Sequence, residues 1–108
     1  MSLRDGLAHA LRTARRVKGV SQEALDTVSS RTYVSSLERG LKNPTIEKLD
    51  EIATAIDFHP LALLTFAYLR SRKHASVPAL MKEIEEQVQL LIESEESLLS
   101  EKTPHLKK

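Results

Sequence analysis

Apolar residues along this chain recur at intervals of three and four, the spacing of one face of an α-helix. Leu3, Leu7, Ala10, Leu11, Ala14 and Val17 form the first such stripe, and Gly19 ends it as a residue suited to a left-handed helix terminus. Ser21 is placed as the next N-cap, opening a short helix from Gln22 to about Thr27 that buries Ala24, Leu25 and Val28. Ser29 or Ser30 caps a third helix from Arg31 to Arg39, with Tyr33 or Val34 and Leu37 facing inward and Gly40 as the stop. After a Lys42-Asn43-Pro44 loop, Thr45 caps a fourth helix carrying Ile46, Leu49, Ile52, Ala53 and Ile56. Pro60 suits the first turn of a fifth, which continues through Leu61, Leu64, Ala67 and Tyr68. No strand-like alternation occurs, so the sequence predicts an all-α fold.

Beyond the polar stretch 70–76, a helix end or a hinge, Pro78 to Leu99 reads as one longer helix. Val77, Met81, Ile84, Val88, Leu91, Glu95 and Leu98 keep alternating spacings of four and three, the period of a coiled-coil seam. Glu95 interrupts that seam, and Leu80, Ile92 and Leu99 widen it. Three segments are therefore expected: a helical domain over 1–73, a C-terminal amphipathic helix over 74–101, and a flexible tail over 102–108.

Charge changes the picture. The 108 residues carry a formal net charge of only +1, but residues 1–73 carry +4 and residues 74–108 carry −3. A basic front half suggests that the front meets a polyanion. The absence of cysteine excludes disulfides and thiolate chemistry and fits a reducing cytoplasm. The first residues lack the apolar core of a signal peptide, and no apolar run approaches a bilayer span, so no membrane role is expected. His9, His59, His74 and His105 are scattered without metal-ligand spacing, and no glycine-rich phosphate loop or nucleophile–base pattern occurs. Neither catalysis nor a cofactor nor a metal is expected.

Two short helices joined by a tight turn, the second opened by serines and lined with polar residues, make a helix-turn-helix pattern. A helix that reads DNA must present hydrogen-bonding side chains outward near its N-terminus and anchor itself by an apolar inward face. With Arg31 as the first helical position, Arg31, Thr32, Ser35, Ser36 and Arg39 share the outward surface.

Two motifs make the pattern specific. One is Leu11-x-x-x-Arg15-x-x-x-Gly19-x-Ser21-Gln22-Glu23-x-Leu25, followed by Arg31-Thr32-Tyr33-Val34-Ser35-x-Leu37-Glu38-Arg39-Gly40. The other is Asn43-Pro44-Thr45-x-x-x-Leu49-x-x-Ile52-Ala53-x-Ala55-Ile56. With these, residues 11–64 resemble the lambda-repressor and Cro type of helix-turn-helix protein, the xenobiotic-response-element family. The resemblance implies a five-helix domain that binds double-stranded DNA as a homodimer on a roughly palindromic operator. It implies that Gln22 contacts a phosphate and braces the recognition helix, and that Arg31, Thr32, Ser35 and Ser36 read bases. Arg39, Lys42, Asn43 and Thr45 match positions near the DNA backbone, and Arg15 matches an arginine that pairs with Glu38. One departure stands out: Leu25 to Arg31 is about two residues shorter than usual for the family and has no turn glycine. The second helix is therefore short or the turn unusually tight.

The expected function is that of a cytoplasmic, homodimeric transcriptional repressor, with Met81, Ile84, Val88, Leu91 and Leu98 as its dimerisation seam. Arg12 and Arg16 are expected to be solvated. Acidic residues at Glu38 and from Glu47 to Glu51 offer a contact for RNA polymerase. Two rival readings use the same residues. In one the chain is an antitoxin whose acidic 83–96 surface holds a basic toxin; in the other it is a protein-interaction module that has lost DNA binding.

Overall fold

The computed structural model describes residues 1–72 and 76–106, and the regular elements among them are all helical. It divides into two compact units, Met1–His74 and Ala75–Lys108. The first unit contains α1 (Leu3–Val17), a 3₁₀ turn (Glu23–Leu25), α2 (Arg31–Glu38), α3 (Ile46–Ile56) and α4 (Pro60–Ser71). The second is a single long helix, α5 (Val77–Leu106).

Short polar side chains set each start. The hydroxyls of Ser2, Ser30 and Thr45 accept from the backbone N–H groups of Asp5, Tyr33 and Lys48, at 3.0, 3.1 and 3.0 Å. Each satisfies one of the orphan donors that open a helix, worth about 1 kcal/mol. At α4 Pro60 takes the first position, where its missing N–H costs nothing, and His59 Nδ1 accepts from the Leu61 N–H. Gly40 ends α2 at φ +73°, a conformation that a side chain would strain. Asp57 turns the chain from α3 into α4 at φ +67°, and the two helices meet at 106°.

The core gathers Leu7, Ala10, Leu11 and Ala14 of α1, Leu25 of the 3₁₀ turn, and Val34 and Leu37 of α2. Leu49, Ile52, Ala53 and Ile56 of α3 join Leu63 and Ala67 of α4 in the same cluster. The main packing is α1 against α4. They approach so closely that a methyl group built on Gly6 would lie 2.7 Å from the Ala67 carbonyl oxygen. Backbone, not a flexible side chain, fills that space, so glycine is needed there.

Several expectations change on contact with this packing. The second helix of the motif is one 3₁₀ turn rather than a helix over 22–27. It sends only Leu25 into the core, 1% exposed, while Ala24 is exposed. The α4 stripe is centred on Leu63 and Ala67, not on Leu61, which is exposed. Leu63 and Ala67 stand one above the other toward α1, and a residue two places from Leu63 points nearly opposite. Leu3 and Val17 lie at the ends of α1 and are exposed, beyond the reach of the core. Helix α5 continues through Leu106, past the expected boundary at 101. The tail expected over 102–108 thus falls on helix up to 106, and residues 107–108 lie outside the described residues. So do residues 73–75, three of the seven in the expected hinge.

Candidate nucleic-acid interface

The site is built around α2, and the turn that leads into it explains the missing glycine. The Val28 and Ser29 N–H groups both donate to the Leu25 carbonyl, at 3.0 and 2.9 Å, before Ser30 extends into its cap position. The positive-φ residues are Gly19, Gly40 and Asp57, all outside the turn, so the chain closes it with ordinary right-handed and extended backbone. Lys48 ties the turn down from α3, its ammonium donating to the Val28 carbonyl at 2.8 Å. Arg31 is thereby the first residue of α2.

The rear end of α2 is clamped. Glu38 is buried, and its carboxylate accepts from Arg15 Nε at 2.7 Å and Arg15 Nη2 at 2.8 Å, the two-pronged geometry that suits guanidinium and carboxylate. Arg15 Nη1 also donates to the Val20 carbonyl at 3.1 Å, which pins the chain leaving α1. Gln22 Nε2 adds a third bond to the Glu38 carboxylate at 3.1 Å. Burial pushes the Glu38 pKa up, but the hydrogen bonds from Arg15 and Gln22 and the charges of Arg15 and Arg12 outweigh it. The carboxyl is held below the ordinary carboxylate value, and Arg15 is raised chiefly by its bond to Glu38.

Arg12 belongs to the same assembly, contrary to the expectation that it is solvated. Its Nη1 donates to the backbone carbonyl of Glu38 at 3.2 Å. That carbonyl is one of those a helix C-terminus leaves unpaired, and a cation there also meets the negative end of the helix dipole. Arg16 is exposed as expected. Glu38 is withdrawn from the proposed acidic surface for RNA polymerase, because its carboxylate is buried and occupied.

The front of α2 is open. Arg31 and Thr32 are exposed, and Ser35 and Ser36 are half-buried on the flank. Arg31 Nη1 lies 2.9 Å from the carboxylate of Glu23, a contact the sequence reading missed. Arg39, Lys42, Asn43 and Thr45 are exposed along the exit from α2 and its loop. Lys42 lies over the Tyr33 ring, 5.6 Å from its centroid. The Thr45 hydroxyl accepts from Lys48 and keeps its own proton to donate. The first unit thus brings together Gln22, Arg31, Thr32, Ser35, Ser36, Arg39, Lys42, Asn43 and Thr45 on and around α2, with Arg15 and Glu38 behind it.

The remaining candidates lie in the other unit. Met81, Ile84, Val88, Leu91 and Leu98 of α5 are each between 39% and 69% exposed. Among the described residues, no group of three or more His, Asp or Glu side chains could hold a metal ion.

Comparison with known proteins bears on the first unit above all. Residues 11–63 match the family model for the helix-turn-helix. The chain is similar to the helix-turn-helix-type transcriptional regulator y4dJ of Sinorhizobium fredii, 39% identical over 67 residues that span 60% of this chain and 87% of that protein. Control protein C.SmaI of Serratia marcescens is 33% identical over 75 residues, 68% of this chain and 89% of that protein. Among solved structures, the clp gene regulator ClgR from Corynebacterium glutamicum matches with a TM-score of 0.62 and 30% identity, covering 87% of this chain and 95% of that one.

Proposed function

This chain belongs to the helix-turn-helix family of DNA-binding transcriptional regulators, and from that premise we propose that it acts as a homodimeric repressor on a palindromic operator. The observation that carries the reading is the asymmetric seat of α2, gripped at its C-terminus by Arg12, Arg15 and Gln22 and open at its N-terminus. A helix entering the major groove needs that arrangement. Its hydrogen-bonding N-terminal face must be free, and its position must be fixed so that contacts to base edges keep their register.

In this reading Arg31, Thr32, Ser35 and Ser36 read bases. Gln22, Arg39, Lys42, Asn43 and Thr45 hold phosphates and set the salt dependence. Gln22 keeps one amide N–H beyond the one given to Glu38, so a single side chain can both brace α2 and donate to a phosphate. The exposed stripe of α5 supplies the dimer contact, because its four–three period suits a second copy of the same helix. A two-fold dimer places its recognition helices roughly 34 Å apart, and half-site centres about 10 bp apart. Bound across a promoter, such a dimer represses by occlusion.

Selection from a random duplex DNA library, using the full chain, tests this. Enrichment of an inverted repeat with centres about one helical turn apart supports it. Enrichment of an isolated, non-repeated site rules out the symmetric dimer, and no enrichment at low salt rules out sequence reading.

A further inference from the structure

Glu23 and Arg31 stand at opposite ends of the glycine-free turn, and the fold brings them into contact. Arg31 Nη1 approaches Glu23 Oε1 to 2.9 Å, with the two side chains 64% and 65% exposed. An ion pair so open to water adds little to stability. Its importance lies in its position, because it occupies the front of α2, where the proposed interface meets DNA.

We propose that Glu23 is a positioning residue that sets specificity: its carboxylate holds the Arg31 guanidinium for a guanine edge and away from phosphate. The inference rests on the DNA-reading role proposed for α2. The chemistry separates the two targets. Phosphate attracts a guanidinium through net charge, wherever along the backbone the two meet. A carboxylate in contact cancels that charge. A guanine edge offers O6 and N7 as acceptors in a fixed geometry, and a guanidinium has five N–H donors, of which the ion pair with Glu23 approaches only the Nη1 side. Enough donors remain for a two-pronged contact to guanine. Glu23 thus lowers the affinity of Arg31 for DNA in general more than its affinity for a G·C pair in the right place.

The geometry around the pair supports a fixed placement. The Ser30 cap and the bond from Lys48 to Val28 hold the turn, so the first residue of α2 cannot slide relative to the 3₁₀ turn. Gln22, the neighbour of Glu23, is bonded to Glu38.

The test uses the full chain as wild type, Glu23→Gln, Arg31→Ala and the double variant. Each is titrated against random-sequence duplex and against the duplex recovered by selection, across a range of salt concentrations. Removing Glu23 frees Arg31 to neutralise one more phosphate. The slope of log affinity against log salt on random duplex then steepens by about 0.9, equivalent to about a fivefold gain in affinity near 0.15 M salt. The ratio of selected to random affinity falls by at least that factor, and the melting temperature is unchanged. In the Arg31→Ala background Glu23→Gln changes neither slope nor ratio. Equal slopes and ratios for wild type and Glu23→Gln overturn the proposal. A gain that persists without Arg31 also overturns it, since Glu23 then acts only as a general surface charge. If wild type shows no preference for any duplex, the DNA-reading role fails, while the slopes on random duplex still decide whether Glu23 restrains Arg31.

Discussion

Replacing Arg15 by alanine tests how α2 is held. The substitution removes two short hydrogen bonds to a carboxylate, at 2.7 and 2.8 Å, and the bond to the Val20 carbonyl. Among the described residues, it leaves Glu38, whose side chain is only 4% exposed, with Gln22 as its one side-chain hydrogen-bond partner. Breaking a buried pair from one side costs about 3–5 kcal/mol, because the surviving charge stays desolvated. A domain this size has about 5–15 kcal/mol of stability in all, so the loss is a large fraction of it. At about 4–8 °C per kcal/mol for a small domain, Arg15→Ala lowers Tm by about 12–40 °C. Thermal unfolding followed by circular dichroism measures this directly. Binding to DNA, assayed well below the variant's Tm, falls only in proportion to the folded fraction. A Tm within about 5 °C of wild type, less than about 1 kcal/mol, would refute the reasoning. It would mean that Glu38 finds water or another donor, and that the pair does not seat the recognition helix.

The remaining predictions concern other parts of the same argument. Because the Glu38 carboxyl titrates lower in the folded protein than in the unfolded chain, the stability it provides is complete above the ordinary carboxylate pKa. That stability is lost as pH falls toward the folded value, since the unfolded state binds its proton first. Unfolding midpoints measured from pH 7 down to pH 3 will fall for wild type, and Glu38→Gln will lose that part of the slope. Gly6→Ala forces a methyl group against the Ala67 carbonyl oxygen and costs about 1–3 kcal/mol in denaturant unfolding; an unchanged midpoint would show that α1 and α4 can part freely. Ser30→Ala removes the α2 cap and costs about 1 kcal/mol in the same measurement. Leu91→Lys on α5 shifts a dimer to monomer in sedimentation, whereas an unaltered dimer places the contact elsewhere.

Much of this was legible because it is local. Ser30 and Thr45 mark helix starts through bonds that span three residues, and Pro60 marks one by its fixed φ, signals that a sequence displays directly. The register of α2 follows from one of them. Leu61 and Leu63 are a different matter, because α4 carries leucines at 61, 63 and 64 and the choice of face depends on where α1 lies. Gly6 gives no sign of its role, since the space it protects is created by another helix. Arg12 and Glu38 are 26 positions apart, and nothing in their spacing reports that the end of α2 passes beside α1. Arg15 and Glu38 are 23 positions apart, and only the family resemblance brought them together. Glu23 could have been suspected: an acid eight places before a candidate base-reading arginine, across a short turn, is within reach of it.

The uneven grip on α2 bears on how such a protein can acquire a new target. Its side-chain clamp (Arg12, Arg15, Gln22 and Glu38) is gathered at one end, the Ser30 cap and the Lys48 bond to Val28 hold the turn at the other, and the side chains of Arg31, Thr32, Ser35 and Ser36 make none of those bonds. The four front positions form a rewritable surface on a separate mount. A lineage, or an engineer, can exchange them without first securing the domain against collapse, and can redirect it to a different stretch of DNA by steps that each leave a folded protein.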